Sequence, residues 1–429
     1  MRLTGRTALL AAVGFVAVVI HPGLWTVFWW LLLVAALVGI DLWLAPSTKS
    51  LLPTRVPTGQ VRLGESTSSE LLVRNTGDRT FRGAVRDAWP PSAGAVGERM
   101  ALRLPPGEQA RLTTTLTPTR RGDRRTDLLT VRSAGPLGLA QRQRSTPVPG
   151  SVRVLPGFPS RRHLPSKLAQ LQQLDGRSAV RVRGQGTEFD SLRDYVDGDD
   201  VRSIDWRATA RRQHPVVRTW QPERDRRIVV VLDTSRTSAG RIGDLTRLDA
   251  GMDATLLLGA LASRAGDKVQ FLAGDRRVRA RVSGITDRAE LLHALVTAMA
   301  PLEPALVEAD WSHLVGTGLP RNRSLVVLVT PLEPAAIAEG LLPVLATLAS
   351  RHRVVVASVA DPSVRAMTGQ RDNAAEVYDA AAAERTELLR GRTREALERL
   401  GVTVLDEPPD KLPVALVDHY LLLKSRGLL

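Results

Sequence analysis

From Thr7 to Ile40 the chain carries no Lys, Arg, Asp or Glu, and His21 is the only ionisable side chain in that run. One membrane crossing takes about 20 apolar residues, so the run is too long for one helix and sufficient for two short ones. The break falls at His21-Pro22-Gly23, where proline and glycine punctuate a tight turn. The sequence predicts a transmembrane helical hairpin within residues 1–50, with helices over 7–20 and 24–44. The first is short and needs local bilayer thinning or snorkelling flanks. Trp25 and Trp43 fall near the ends of the second, where interfacial aromatics concentrate. Arg2 and Arg6 precede the hairpin, and Lys49, Arg55 and Arg62 follow it. Two cationic flanks both belong inside, so the number of spans is even. The expectation is a cell-membrane protein with two spans, its termini and soluble domains cytoplasmic. A cleaved signal peptide is the competing reading. No small-x-small site follows Ile20, and a second apolar run does.

The 429 residues leave room for two or three domains. Hydrophobic content of 43% and charged content of 24% mark a folded rather than a disordered chain. Cysteine is absent, which excludes disulfides, thiolate metal sites and cysteine nucleophiles. The net charge of +15 suits anionic lipid, nucleic acid or an acidic partner. Lys and Arg are spread through the soluble segments rather than gathered into a stripe with interleaved aromatics, so membrane lipid is favoured and nucleic acid is not.

Residues 51–155 alternate in short runs such as "SSELLVRN" and "QARLTTTLTP", separated by "NTGD", "LPPGEQ" and "TRRGDR". Period-two runs between turn residues predict an all-β sandwich-like domain, with "NTGD" (75–78) as a hairpin turn. A basic linker and a charged segment occupy 156–225. Residues 226–429 alternate strand and helix, starting from the apolar run Ile228–Leu232 and repeating at Ser324–Thr330 and Arg353–Val359. That order predicts a C-terminal α/β doubly wound, Rossmann-like domain with its sites at the carboxyl ends of the strands. The chain is expected to be multidomain.

The charged segment, "GTEFDSLRDYVDGDDVRSIDWRATAR" (186–211), holds seven carboxylates and four arginines from Glu188 to Arg211. Phe189, Leu192 and Val196 share one face if the segment is helical, and Gly198 is the positive-φ position of a turn. Two readings stand. Asp199, Asp200 and Asp205 pair with Arg193, Arg202 and Arg207 in a structural network. Alternatively the segment, with Glu188, Phe189, Tyr195, Trp206 and Arg211, is a surface for a partner. The aromatics are expected to dock it onto the α/β domain.

At the end of the first α/β strand, Asp233, Ser235 and Thr237 offer one carboxylate and two hydroxyls. All are hard oxygen donors, suited to Mg²⁺ or Mn²⁺. The bland alternative is that Asp233 and Ser235 cap the next helix. No glycine-rich phosphate loop follows the strand, so no nucleotide is expected.

"VVVLDTSRT" resembles the metal-ion-dependent adhesion motif of von Willebrand factor type A (vWA) domains, Asp-x-Ser-x-Ser, with Thr237 in place of serine. The resemblance implies a further threonine and aspartate from later loops. Val307–Leu314 is similar to the first loop but has Ala309, and Val329–Pro334 is similar to the second but has Pro331. Asp310 and Glu333 are the nearby substitutes. The 186–211 segment resembles the signature of the bacterial "domain of unknown function 58" family. That resemblance implies a membrane hairpin, a β-rich segment, a vWA-like domain and a MoxR-type AAA+ ATPase partner. The expected function is a membrane-anchored, non-enzymatic adaptor in protein assembly or maturation. The alternative is a metal-dependent hydrolase using the carboxylates of 186–211.

Overall fold

The computed structural model describes residues 2–181, 188–221, 226–320 and 322–429. The protein is multidomain, with two compact units that meet in sequence at Leu155 and Pro156.

The first unit starts with two apolar helices, α1 (Gly5–Ile20) and α2 (Leu24–Leu44). The helix beginning at Leu24 is long and apolar enough to cross a membrane, with a mean hydropathy of 2.2, whereas α1 is shorter than a full span. The two pack at Gly14, where a Cβ would come within 2.2 Å of the Trp30 ring, so only glycine lets the helices approach this closely. Trp30 Nε1 donates to the Leu10 carbonyl at 3.3 Å.

Seven main strands follow: β1 (Leu51–Arg55), β2 (Thr67–Asn75), β3 (Phe81–Asp87), β4 (Arg99–Leu104), β5 (Gln109–Leu116), β6 (Gly122–Ala134) and β7 (Ala140–Leu155). One sheet runs β7-β6-β3-β4, with Arg2–Leu3 on the outer edge of β7, and the other runs β1-β2-β5 and ends at Ala95–Val96. Their inner faces share a core of Leu71, Val73, Phe81, Val85, Leu112, Leu129 and Val131. The period-two alternation thus makes a two-layer sandwich. Residues 75–78 are not a hairpin turn, because β2 and β3 lie in different sheets. The buried Asn75 stabilises that crossover: its Nδ2 donates to the Arg79 and Leu104 carbonyls, and its Oδ1 accepts from Gly77 N–H. Arg55 bridges the sheets through a bidentate pair with Asp87 at 2.7 and 2.9 Å. Both side chains are at most 5% exposed, so Arg55 adds little to the cationic flank of the helices.

The start of α1 and the end of α2 meet the same β6–β7 turn. Asp41 of α2 is wholly buried, and its carboxylate accepts from the N–H groups of Leu137, Leu139 and Ala140 at 2.7, 2.8 and 3.1 Å. Thr4 N–H and the Thr4 and Thr7 hydroxyls donate to the Leu139 carbonyl. Gly135 is required here, since a Cβ would lie 2.2 Å from the Asp41 carbonyl.

The second unit is built on a six-stranded sheet. It opens with α3 (Leu164–Arg181), and the turn before α3 packs on the later sheet helix α5: Ser160 Oγ donates to Asp253 at 2.7 Å. Lys167 pairs with Asp418 at 2.5 Å. Residues 156–181 are therefore part of this unit rather than a linker. A two-stranded arm follows: β8 (Glu188–Asp194), α4 (Trp206–Arg212) and β9 (Val216–Gln221). The α/β core comprises β10 (Arg227–Asp233), α5 (Arg247–Arg264), β11 (Lys268–Gly274), β12 (Val278–Val282), α6 (Arg288–Met299), α7 (Trp311–Gly318), β13 (Leu325–Val329), α8 (Leu342–Arg351), β14 (Arg353–Val359), α9 (Ala374–Arg399), β15 (Thr403–Glu407) and α10 (Leu412–Ser425).

The strand order is β12-β11-β10-β13-β14-β15, parallel except for β12. Numbered within the sheet this is 3-2-1-4-5-6, the doubly wound order whose switch point lies between the first and fourth strands. Val229 and Val231 pack with Trp311, Leu314 and Leu345 on one face. On the other face α5 approaches β10 and β13 so closely that a Cβ on Gly251 would sit 2.8 Å from Val329. Strands covered on both faces read as continuous apolar runs.

Asp41→Ala should orphan three buried N–H groups and destabilise the N-terminal unit by about 2–4 kcal/mol. Denaturant unfolding of the detergent-solubilised chain measures this. A loss below about 0.5 kcal/mol, the scale of an ordinary surface change, would contradict the assigned role.

Candidate functional site at the carboxyl ends of the strands

β10 carries five apolar residues into the core and ends in Asp233, which is 1% exposed. Its Oδ1 accepts from Ser235 N–H at 2.7 Å. Its Oδ2 accepts from the Thr330 hydroxyl at 2.7 Å and the Thr237 hydroxyl at 3.2 Å. Ser235 Oγ lies 3.0 Å from Thr237 Oγ1. Thr330 comes from the end of β13, across the switch point. The cluster thus holds one carboxylate and three hydroxyls. Every donor to the carboxylate is neutral, and burial pushes the Asp233 carboxyl above its ordinary range against the opposing hydrogen bonds of Ser235, Thr330 and Thr237.

Loop 305–310 closes one side: Ala305 N–H donates to the Thr234 carbonyl at 2.8 Å, and Arg236 N–H to the Val307 carbonyl at 2.9 Å. Thr234 Oγ1 donates to the buried Asp275 at 3.0 Å, which fixes the loop from behind.

Of the sequence-predicted site residues, Asp233, Ser235 and Thr237 come together. Asp310 and Glu333 do not join them. Asp310 caps α7, accepting from His313 N–H at 2.9 Å, and Glu333 pairs with Arg247 at 2.6 Å. Pro331 is buried beside Thr330 and supplies no donor group. Thr330, a strand-end residue in the sequence, is the member that the expected metal set did not include. Its signal was its place at the end of a buried strand adjacent to β10. Asp233 does act on its own loop, as a cap would, and it also binds a hydroxyl of a second strand. Among the described residues no group of three or more His, Cys, Asp and Glu is placed to hold a metal. The set is therefore one carboxylate plus neutral hydroxyls, a donor chemistry that fits a hard cation with open positions left over.

The 188–221 arm is a hairpin, not a helix with Phe189, Leu192 and Val196 on one face. Strand β8 pairs antiparallel with β9 from Glu188↔Gln221 to Asp194↔Val216. Gly186 and Thr187 lie outside the described residues, and Glu188 and Phe189 are described by backbone alone. Arg193 grips Asp199 with two bonds, at 2.7 and 2.5 Å. That bond, with Val196 N–H, holds the Asp199 carboxyl below its usual range. Asp200 caps the turn over Val201–Ser203 through Arg202 N–H, rather than pairing with a guanidinium. Asp205 caps α4 and pairs with Arg218 at 2.7 Å, not with Arg207. Its carboxyl is held down by Ala208 N–H and then by Arg218. Gly198 has φ +106°, as its turn requires. Tyr195 N–H bonds the Pro215 carbonyl at 2.9 Å, closing the arm. Trp206 is 67% exposed, so it does not dock the arm onto the sheet. Arg211 lies exposed in the last turn of α4.

Residues 191–403 match the family described as "Protein of unknown function DUF58". The match begins in β8 and ends at the first residue of β15. Residues 43–137 match the family described as "Abnormal spindle-like microcephaly-assoc'd, ASPM-SPD-2-Hydin". Uncharacterised proteins of Mycobacterium tuberculosis and Mycobacterium bovis are 28% identical over 191 residues, 44% of this chain. The aligned part spans 60% of the length of those relatives. Among solved structures, a protein of unknown function from Porphyromonas gingivalis W83 is 19% identical, covering 26% of this chain and 50% of that one, with a TM-score of 0.21. PapD-like domain 7 of human CEP192 is 13% identical, covering 25% of this chain and 87% of that one, with a TM-score of 0.20.

The raised Asp233 carboxyl has a signed consequence. Between the ordinary carboxyl range near about 4 and the raised value, the folded chain keeps a proton that the unfolded chain has released. The stability it contributes is present at low pH and lost as pH rises through the raised pKa. Asp233→Asn keeps the acceptor for Ser235 N–H and offers an amide to the two threonine hydroxyls. In EDTA its melting temperature should exceed that of the native chain at neutral pH, with the gap closing as pH falls. A gap that stays constant with pH would show that Asp233 carries no such penalty.

Proposed function

We propose that this chain is a membrane-anchored, non-enzymatic adaptor whose vWA-like domain faces the cytoplasm and works with a MoxR-type AAA+ ATPase. The observation that carries the reading is the buried carboxylate–hydroxyl cluster at the switch point of a doubly wound sheet, where such sheets bind ligands. The six-strand order with one antiparallel edge, and Asp-x-Ser-x-Thr at the end of the first strand, support the vWA-like assignment. In the adaptor, Asp233, Ser235, Thr237 and Thr330 would hold Mg²⁺ or Mn²⁺, and a partner carboxylate would complete its shell. A cation there would supply the positive charge that the buried carboxylate lacks.

The anchor reading is supported by the length of α2 and by the meeting of the start of α1 with the end of α2 at one β-turn. In this reading there are two spans, and the cationic flanks Arg2, Arg6, Lys49 and Arg62 lie on the cytoplasmic side, as the bias of basic residues toward that side supports. The ATPase partner rests on the resemblance of the 186–211 signature. The hydrolase reading has less support, because Asp199 and Asp205, the carboxylates it would use, are each held by an arginine and by backbone N–H groups.

The test is affinity capture from detergent-solubilised membranes of the native host, in Mg²⁺ and in EDTA, with partners identified by mass spectrometry. The expected result is an AAA+ ATPase recovered in Mg²⁺ and lost in EDTA and with Asp233→Ala/Ser235→Ala. Equal recovery by that variant, shown folded by circular dichroism, would reject this face as the contact. Recovery of no ATPase would reject the partner.

A further inference from the structure

A second surface lies at the edge of the same sheet. Strand β12 ends the strand order and, among the described residues, pairs only with β11. An edge strand presents a row of N–H and C=O groups to any extended chain that reaches it. This one is strongly cationic. Arg279 and Arg281 lie on it and Arg276 and Arg277 in the turn that leads into it, with no carboxylate from Arg276 to Thr286. Arg279 is held by the buried Asp275 at 2.9 Å, while Arg276, Arg277 and Arg281 are exposed.

Beside the strand a groove of about 530 Å³ runs between the end of β12 and α6, lined by Val282, Ile285, Ala294 and Thr297 together with Arg281 and His293. The Thr297 hydroxyl is buried there with no hydrogen-bond partner among the described residues. The groove therefore offers apolar wall and a polar atom next to an open backbone.

Charge decides what fits. Edge arginines are a common defence against self-pairing. A second copy laid on this edge would set arginine opposite arginine, which is destabilising. The same charges favour a strand that carries carboxylates. We propose that β12 accepts an extended acidic segment of a partner protein as a seventh strand. Backbone bonds give it hold, the exposed arginines meet its carboxylates, and the groove takes its apolar side chains, the strand-addition mode of peptide recognition. The proposal is independent of the Asp233 face.

The test uses the full chain in detergent and a fluorescent peptide of about six residues that alternates glutamate and valine. Anisotropy should report binding that weakens about ten-fold or more with Arg277→Glu/Arg281→Glu, and to a smaller degree with Arg277→Gln/Arg281→Gln. Methylating alternate backbone nitrogens of the peptide should abolish binding, and a lysine–valine peptide should not bind. Amide exchange over residues 278–282 should slow in the complex, and Asp233→Ala should bind the peptide normally. Equal binding of the methylated peptide would reduce the interaction to charge attraction and overturn strand addition. No binding by the native chain, or binding insensitive to both pairs of arginine changes, would overturn the proposal outright.

Discussion

A carboxylate buried among neutral donors is the constraint around which the carboxyl end of the α/β sheet is built. Asp233 is carried inward by a strand whose apolar residues leave it no other place. Desolvation disfavours its charge, and three hydrogen bonds recover only part of what water supplied. Two arginines that follow β10 in sequence are committed elsewhere. Arg236 pairs with Glu308 and Arg247 pairs with Glu333, so both guanidinium groups are already matched. Stability alone would favour an amide at 233.

The sequence was most legible where burial is complete. Strand β14 has the ends expected of it, Arg353–Val359. Both faces of such a strand are covered, so its apolar run has no other stable reading. Legibility failed where pairing is non-local. Phe189, Leu192 and Val196 fit a helical spacing, yet β8 finds its partner beyond a turn, a capped helix and a second turn. No local period records that partner. The turn at 75–78 fits a hairpin by composition, and only the allocation of β2 and β3 to separate sheets shows that it is a crossover. In the site itself, motif spacing brought out Asp233, Ser235 and Thr237. Motif spacing left Thr330 out of that set, because its contribution depends on β13 lying next to β10.

The N-terminal unit repeats the lesson with a different carboxylate. Asp41 lies in the last turn of an otherwise uncharged helix. In the fold it is wholly buried, and it gathers three N–H groups of a turn nearly a hundred residues later. Together with the Thr4 and Thr7 hydroxyls it ties both apolar helices to one β-hairpin. A sandwich held at three points to its helices has a fixed rather than a tethered orientation relative to them.

The charged 188–221 arm narrows where chemistry can occur. Its carboxylates looked like a reservoir of acids and bases, but Asp199, Asp200 and Asp205 are each committed to an arginine, a cap or both. Asp199 and Asp205 are held in their ionised form and are poor proton carriers at neutral pH. Their work is geometric: they fold a short ribbon that has little apolar core of its own. What the arm then offers to solvent is apolar, with Trp206, Val196 and Val201 each more than half exposed. Asp233 differs from Asp199 and Asp205 in that all the hydrogen-bond donors to it are neutral.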